Sequence, residues 1–319
     1  MSIKIGLLGF GTVASGIPFL LKENGEKVFA ASRDQLEIAK VLVKDDEEKD
    51  RLIAAGNDYN FVTNVDEILN DEEIQIVVEL MGRIEPARTF ITKALEAGKN
   101  VVSANKDLIA THGKELIALA QDKGVAFYYE AAVAGGIPIL RTLANSLTSD
   151  KVTRILGVLN GTSNFMMTKM VDEGWSYEDA LKTAQELGYA ESDPTNDVEG
   201  YDAAYKAVIL SQFGFGATID FDDVSHKGIT NISTDDVAIA QELGYVSTNM
   251  MCNRVRYSVK YHQHSAKSPT VSTNVMNAVF VESIGIGESM YYGPGYQTNS
   301  NICFKTRPYC SSSFRWQCW

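Results

Sequence analysis

A glycine turn between an apolar strand and a helix constrains the fold of this chain more than any other feature. Residues 3–9 (IKIGLLG) predict a short buried strand, and residues 15–22 continue with helical spacing. The turn between them has the G-x-G-x-x-A pattern: Gly9 allows the tight turn, Gly11 lets the backbone approach a pyrophosphate, and Ala14 permits close packing. The alternative is a glycine-rich turn without a ligand. The cofactor-binding residues predicted here are Gly9, Phe10, Gly11, Thr12, Val13 and Ala14.

Strands and helices alternate along the first 130 residues. Alternation of this kind is typical of a doubly wound parallel sheet. We therefore predict an α/β protein with a Rossmann-type NAD(P)-binding domain at residues 1–130 and a mixed α/β catalytic, substrate-binding and dimerisation domain at residues 131–295. The further strands predicted in the first domain are residues 38–43, 74–80, 100–103 and 125–129.

The end of the second predicted strand carries both kinds of charge that could select the cofactor. Lys44 and Asp45 follow residues 38–43 directly. A carboxylate at this point would bind the ribose hydroxyls of NAD, whereas a cation would bind the additional phosphate of NADP. Lys44 favours NADP(H). NAD stays open, as does the alternative that residues 44–50 are only a solvated run of charges.

An acidic loop followed by a helix lies at residues 188–206. Turn-forming residues dominate its first half, and an apolar run at helical spacing follows. Asp202 and Lys206 are four residues apart, so they share one face of the predicted helix. An ammonium among several carboxylates can hold a substrate amine and position a proton donor. The alternative is an exposed ion pair of little energetic value beside a polar loop.

Two stretches of the chain resemble one enzyme family. Residues 184–206 (AQELGYAESDPTNDVEGYDAAYK) are similar to the signature of homoserine dehydrogenases, and so are residues 101–110 (VVSANKDLIA). The resemblance implies an oxidoreductase that interconverts L-homoserine and L-aspartate 4-semialdehyde with NAD or NADP, a step towards threonine, methionine and isoleucine. One departure is Arg83, where the family leads us to expect a second glycine beside Gly82.

The resemblance also implies roles for individual residues. Lys206 would donate the proton to the developing alkoxide, Asp202 would orient it, and Lys106 would face the nicotinamide and polarise the carbonyl group. Glu191 would bind the substrate ammonium, with support from Asp197 and Asp202. Gly188 would lie against the cofactor.

Small residues and paired glycines follow the strand predicted at residues 125–129. Such a segment exposes backbone carbonyl groups, and carbonyl oxygens beside one carboxylate are ligands for hard cations. From the residues alone, a structural crossover is the alternative. The family resemblance implies a structural sodium ion, held by Glu130 and by the backbone of Val133, Gly135 and Ile137.

Charge limits the classes of partner. The formal net charge is -12, which argues against nucleic acid and anionic membranes. The sequence contains no apolar run of 18 residues and no basic-then-apolar amino terminus, so we expect a cytoplasmic protein. We further expect a homodimer that acts on a small amino-acid substrate.

The composition changes near Tyr245. Beyond it, Glu282 and Glu288 are the only acidic residues of the sequence. Residues 246–272 have no clear period, residues 275–295 resemble the family again, and residues 296–319 lose periodicity. We therefore predict that 246–272 and the aberrant tail 296–319 are read in a shifted frame; a divergent but genuine tail is the alternative. The four cysteines match no metal or disulfide pattern, and they are Cys252, Cys303, Cys310 and Cys318.

Two other functions remain open at this stage. The first is an inactive nucleotide-binding remnant of the same enzyme, because a disrupted carboxyl-terminal region would fail to close the site. The second is aspartate-semialdehyde dehydrogenase. That chemistry needs a cysteine nucleophile, and no cysteine precedes Cys252.

Overall fold

The structure, a computed structural model, describes residues 2–243, 245–253, 257–265 and 276–295. The chain divides after Ala132 into two compact units. The sequence-based boundary lay two residues earlier. The tail at residues 296–319 lies outside the described residues, as do residues 254–256 and 266–275.

The first unit is built on a parallel sheet with the strand order β3-β2-β1-β4-β5-β6. The order reverses between β1 and β4, the point at which doubly wound sheets bind ligands at the carboxyl ends of their strands. The predicted Rossmann-type fold is therefore confirmed. The strands are β1 Ser2–Leu8, β2 Gln35–Leu42, β3 Phe61–Val62, β4 Ile74–Glu79, β5 Asn100–Ser103 and β6 Phe127–Tyr128. The helices are α1 Gly16–Glu23, α2 Gly25–Ser32, α3 Asp46–Ala54, α4 Asp66–Leu69, α5 Ala87–Glu96 and α6 Lys106–Lys123.

The core of this unit follows from its strand sequences. The central strand β1 (SIKIGLL) is buried almost throughout, as its near-continuous apolar run requires in a parallel sheet. Leu7 and Leu8 are fully buried. Phe10 extends the core beyond the strand and packs edge-on against Phe61, with ring centroids 5.6 Å apart.

The helix that follows the glycine turn begins later than the sequence predicts. Residues 12–15 form a turn, and α1 starts at Gly16. The Ser15 hydroxyl donates to the backbone oxygen of Thr12 (3.0 Å) and does not cap the helix. The serine therefore stabilises one more turn before regular helix begins, because short polar side chains compete with helical hydrogen bonding.

The second unit contains a mixed, mainly antiparallel sheet with the order β12-β11-β7-β9-β10-β8, in which only the β10–β8 pair is parallel among the described strands. Its strands are β7 Val152–Val158, β8 Ser225–His226, β9 Tyr245–Asn253, β10 Tyr257–Ser265, β11 Met276–Ser283 and β12 Gly287–Pro294. Its helices are α7 Ile139–Arg141, continued by a π-helical turn Thr142–Ser146, then α8 Gly161–Glu173, α9 Tyr177–Glu186, α10 Thr195–Val198, α11 Tyr201–Phe215 and α12 Thr234–Glu242.

Strands β9 and β10 lie in a stretch whose residues show no clear hydrophobic period. They pair with each other over nine residues each, and β9 also pairs with β7. Backbone hydrogen bonds to neighbouring strands can form a strand even where apolar and polar residues do not alternate in the sequence. For this reason the hydrophobic pattern did not predict β9 and β10. Part of residues 246–272 and all of 296–319 lie outside the described residues, so the reading-frame hypothesis stays a prediction. No helix of the described segments is both long and apolar enough to cross a membrane.

Gly228 lies against the backbone of residues 198–199. A Cβ atom at Gly228 would stand 2.2 Å from the Val198 carbonyl oxygen and 2.6 Å from Glu199 Cα. The next residue, Ile229, donates its N–H to the same carbonyl group (2.8 Å). This close approach fixes the loop before α12 to the loop that leads into α11.

Gly228→Ala should therefore destabilise the second unit by about 2 kcal/mol or more, because backbone atoms must move to admit the methyl group. Thermal unfolding followed by circular dichroism measures the effect. Gly25→Ala is the matched control, since a Cβ atom there meets nothing within 4 Å. Equal melting temperatures for the two variants would contradict the packing described.

Candidate active site

The acidic loop is shaped by glycines and by one short helix that the sequence did not predict. Gly188 has φ +74° just after α9, and Gly200 has φ +86° just before α11, so both adopt the left-handed backbone that favours glycine. Residues 195–198 between them form α10. The loop is tied to α8 because Thr162 Oγ1 donates to the Tyr189 carbonyl oxygen (2.6 Å).

The predicted Asp202–Lys206 pair is buried. The Lys206 ammonium donates to Asp202 Oδ2 and to the Leu159 carbonyl oxygen, both at 2.6 Å. Only 13% of the Lys206 side chain and 6% of the Asp202 side chain are exposed. The alternative of an exposed ion pair is therefore wrong. A lysine held at this depth by two acceptors has a fixed position, which a proton donor needs.

Asn160 joins this pair to a second carboxylate, and the sequence analysis missed it. Its amide Nδ2 donates to Asp202 Oδ2 (2.9 Å) and to Asp197 Oδ1 (2.6 Å). Its Oδ1 accepts from the Ser163 N–H (2.7 Å) and hydroxyl (2.8 Å), which caps α8. The available signal was an asparagine directly after a buried strand and three residues before a serine.

Asp197 is the titratable group whose environment is most unusual here. Burial raises the pKa of the Asp197 carboxyl, and the neighbouring charge of Asp202 raises it further. The hydrogen bond from Asn160 and the charge of Lys206 act in the opposite direction. The site thus collects two carboxylates, one ammonium and one amide within direct hydrogen-bonding distance.

Glu191 and Gly188 differ from the buried cluster in their contacts, because both hydrogen-bond to Gln185 through their backbone. Glu191 is exposed, and its backbone oxygen accepts from Gln185 Nε2 (3.1 Å). The N–H of Gly188 donates to the Gln185 carbonyl oxygen (3.0 Å), which closes the end of α9. The roles given to these two residues stay predictions.

The glycine turn of the first unit has the shape that a dinucleotide requires. Gly9 has φ +93°, and a Cβ atom there would lie 3.3 Å from Met81 Cγ and 3.4 Å from the Leu80 carbonyl oxygen. A Cβ atom on Gly11 would meet nothing within 4 Å, so the space beside this backbone is open. Phe10 and Ala14 are buried supports, Val13 is half-buried, and Thr12 is exposed. The residues present therefore fit a bound pyrophosphate.

Lys44 and Asp45 differ in what they are free to bind. Asp45 caps α3, since its Oδ1 accepts from the Glu48 N–H (2.9 Å), and this bond is the main cause that lowers the pKa of its carboxyl. The Lys44 side chain is 86% exposed, with Nζ 3.5 Å from Asp45 Oδ2. The cation is thus the more accessible of the two groups.

Lys106 is the first residue of α6 and follows the carboxyl end of β5. Its Nζ lies 3.2 Å from Asp107 Oδ1, and a third of its side chain is exposed. Asn105 caps the helix through a bond from the Leu108 N–H (3.2 Å). The Asn105 N–H donates to Ser103 Oγ (3.0 Å), which itself donates to the fully buried Glu79 (2.6 Å). Glu79 is the second residue that the sequence analysis missed, although a glutamate closing an apolar strand was a visible signal.

The segment predicted to hold sodium has an irregular backbone. Glu130 opens the 3₁₀ turn Glu130–Ala132, and beyond it Ala134 (φ +59°) and Gly135 (φ +53°) are left-handed. Val133 and Ile137 are buried. Among the residues that the structure describes, no group of three His, Cys, Asp or Glu side chains could hold a metal. A cation in this segment would therefore depend on backbone carbonyl oxygens.

Comparison with known proteins identifies the family. The family model for the homoserine dehydrogenase domain matches residues 138–300, and the model for the homoserine dehydrogenase NAD binding domain matches residues 9–130. The homoserine dehydrogenase of Lactococcus lactis subsp. lactis (strain IL1403) is 56% identical over 301 residues, covering 92% of this chain and 70% of the relative. That of Bacillus subtilis (strain 168) is 41% identical over 305 residues, covering 92% and 69%.

Solved structures agree. The homoserine dehydrogenase from Thiobacillus denitrificans superposes with a TM-score of 0.91 at 39% identity, covering 95% of this chain and 71% of that one. A hyperthermophilic archaeal homoserine dehydrogenase in complex with NADPH gives a TM-score of 0.78 at 26% identity, covering 95% and 94%. The chain therefore belongs to the homoserine dehydrogenase family.

Proposed function

We propose that this chain catalyses the NAD(P)-dependent interconversion of L-homoserine and L-aspartate 4-semialdehyde in threonine, methionine and isoleucine biosynthesis. The observation that carries the proposal is the buried Lys206 ammonium held between Asp202 and the Leu159 carbonyl group. The test is the oxidation of homoserine by the purified chain with NADP⁺ or NAD⁺, followed by the absorbance of the reduced nicotinamide. An inactive remnant is not favoured, because both family models match and the described residues assemble the predicted pair.

The mechanism assigns each step to a named group. A nicotinamide cofactor held at the glycine turn of residues 9–14 would supply the hydride that the aldehyde carbon receives and the alcohol carbon gives up. The Lys206 ammonium gives a proton to the alkoxide oxygen as it forms, and in the reverse direction the neutral Lys206 amine takes a proton from the alcohol. Asp202 orients this ammonium, and Lys106 polarises the carbonyl group. The substrate ammonium binds to Glu191 and Asp197, with Asp202 adding to the negative charge of the site.

NADP(H) is the proposed preference. The support is that Asp45 is engaged in capping α3, whereas the Lys44 ammonium is exposed and available to a phosphate. Lys44→Ala should therefore raise the KM for NADP⁺ about tenfold and change the KM for NAD⁺ by less than about twofold, since one phosphate contact is worth about 1–2 kcal/mol. Initial-rate measurements with both cofactors test this. An unchanged ratio of the two specificity constants would remove Lys44 from the cofactor site.

Asn160→Ser should shift the pH profile. Serine also caps helices, so α8 is retained, but the amide donor to Asp197 and Asp202 is lost. The Asn160 bond lowers the pKa of Asp197, so its removal raises that pKa. Ionised Asp197 binds the substrate ammonium, so kcat/KM falls as the pH drops through this pKa. The acid limb of the profile should thus move to higher pH, with about a tenfold loss of kcat/KM below it.

Ser176→Ala is the control for helix capping in the same unit, because Ser176 caps α9 by accepting from the Asp179 N–H (3.1 Å). It should lower stability by about 1 kcal/mol without moving the acid limb. If both variants left the acid limb where the parent has it, the role given to Asp197 would be wrong.

Three further features belong to the proposal. A structural sodium ion is held by Glu130 and the backbone of Val133, Gly135 and Ile137. Melting temperatures measured with and without sodium would test it.

A homodimer forms at β12, the outermost of the described strands of its sheet, where Met290 and Tyr292 are exposed on one face. Sedimentation equilibrium would measure its mass. A cytoplasmic location suits an enzyme of amino-acid biosynthesis, and cell fractionation would test it.

A further inference from the structure

Glu79 is a fully buried carboxylate that the proposed reaction does not use. It is the last residue of β4, where its backbone pairs with Leu8 of β1 and with Ser103 of β5. It therefore lies at the point where the strand order of the sheet reverses. In doubly wound sheets this is the edge at which the cofactor binds.

The two oxygens of Glu79 hold two different segments. Oε1 accepts from the Met81 N–H (2.8 Å) and the Gly82 N–H (3.3 Å), which are part of the turn after β4. Oε2 accepts from Ser103 Oγ (2.6 Å), whose oxygen accepts from the Asn105 N–H. Asn105 is the residue directly before Lys106.

A further bond closes these contacts into a ring. Asn105 Nδ2 donates to the Arg83 carbonyl oxygen (2.6 Å), so the two segments that Glu79 holds are also joined to each other. Gly82 (φ +71°) and Arg83 (φ +60°) both have left-handed backbones. Such a conformation is costly for arginine, so the turn depends on outside contacts to keep its shape. The neighbouring Met81 side chain also faces Gly9 of the glycine turn.

The Glu79 carboxylate is surrounded by donors. Two N–H groups and one hydroxyl donate to it, and the Asn105 side chain adds a further hydrogen bond. Burial raises the pKa of the Glu79 carboxyl, while these hydrogen bonds act against the increase. An amide of the same shape could keep its oxygen on the two N–H groups and donate to Ser103 Oγ, because a hydroxyl also accepts, so only a side chain without an acceptor releases both segments.

We propose that Glu79 is a positioning residue for the dehydrogenase reaction, which fixes the turn at residues 81–83 and the Asn105–Lys106 helix start in one arrangement at the cofactor edge of the sheet. The inference rests on the proposed function only in the role given to Lys106. One arm of the carboxylate shapes the turn beside the cofactor loop. The other arm, through Ser103, sets the position of Lys106.

Two variants separate the arms. Glu79→Leu removes both acceptor oxygens, and should raise the Kd of NADPH about tenfold and lower kcat about tenfold or more, since misplacement of a positioned group by 1 Å costs up to about 100-fold. Ser103→Ala leaves the Glu79 bonds to Met81 and Gly82 in place. It should lower kcat to a similar degree with less than about a threefold change in the Kd of NADPH. Fluorescence titration of the full chain gives the Kd, and homoserine turnover gives kcat.

Lys99→Met controls for general destabilisation. Lys99 is buried at the amino-terminal end of β4, opposite to the end that carries Glu79. Its ammonium donates there to the carbonyl oxygens of Asp71 (2.6 Å) and Ile74 (2.8 Å). This variant should lower the melting temperature yet keep the parent's NADPH affinity and kcat. An unchanged Kd in Glu79→Leu, an unchanged kcat in both site variants, or equal losses in Lys99→Met would overturn the proposal.

The titration also separates this proposal from the proposed function. If the parent chain failed to turn over homoserine, the function would be wrong. The Kd of NADPH in Glu79→Leu against that in Lys99→Met would still decide whether Glu79 positions the cofactor edge.

Discussion

Lys206→Met should lower kcat for homoserine oxidation by about 10²–10⁴-fold, the range that a positioned acid or base contributes. Methionine preserves much of the aliphatic volume but cannot exchange a proton. The Lys206 ammonium is fixed by Asp202 and by the Leu159 carbonyl group, so no rearrangement of the same side chain replaces it. Binding of NADPH should be preserved, because the glycine turn belongs to the other unit.

Lys182→Met provides the matched control for this result. Lys182 also pairs with an acidic residue four positions away, since its Nζ lies 4.0 Å from Glu186 Oε1, but 75% of its side chain is exposed. Its removal should leave kcat within about twofold of the parent, because exposed pairs contribute little. Comparable turnover in Lys206→Met and the parent would refute the assignment of Lys206 as the proton donor.

Asp202→Ala should cost about 3 kcal/mol or more of stability, in addition to activity. The substitution leaves the Lys206 ammonium buried without its nearest anion, and breaking one side of a buried ion pair typically costs about 3–5 kcal/mol. It also leaves Asn160 Nδ2 with one acceptor fewer. Thermal and urea unfolding of the purified variant would measure the loss.

The double variant Asp202→Ala/Lys206→Met tests the cause. Removing the stranded charge should restore part of the lost stability, so the combined change should be smaller than the sum of the two single changes. Activity should stay at the level of Lys206→Met alone. Strictly additive losses of stability would mean that the two side chains do not interact as the 2.6 Å contact indicates.

Short-range patterns in the sequence predicted the secondary-structure elements of the site correctly. They did not predict the contacts between residues far apart in the chain. The glycine turn and the Asp202–Lys206 spacing are short-range patterns, so their places in a strand–turn–helix unit and on one helix face were predictable. Burial of the pair depends on Leu159, which lies 47 residues away from Lys206. A tertiary contact of this kind cannot be predicted from the spacing of residues along the sequence.

Asn160 and Glu79 were missed for related reasons. The local sequence around Asn160 is typical of a turn before a helix, and its bond to Asp202 spans 42 residues. Glu79 meets Ser103 only because β4 and β5 are neighbours in the sheet. Period alone could not tell a buried polar group at a strand end from an exposed one.

The double duty of Asn160 has a consequence for redesign of the substrate range. One side chain both caps α8 and donates to two acidic groups, so most substitutions of Asn160 affect the helix start and the acidic pair together. We expect mutational libraries at Asp202 to yield mostly unstable proteins, because they leave the Lys206 ammonium without its nearest anion. Glu191 is exposed on a loop outside this shared framework, so we expect substitutions there to preserve the fold and, given the role proposed for it, to alter preference for the amino-acid end of the substrate.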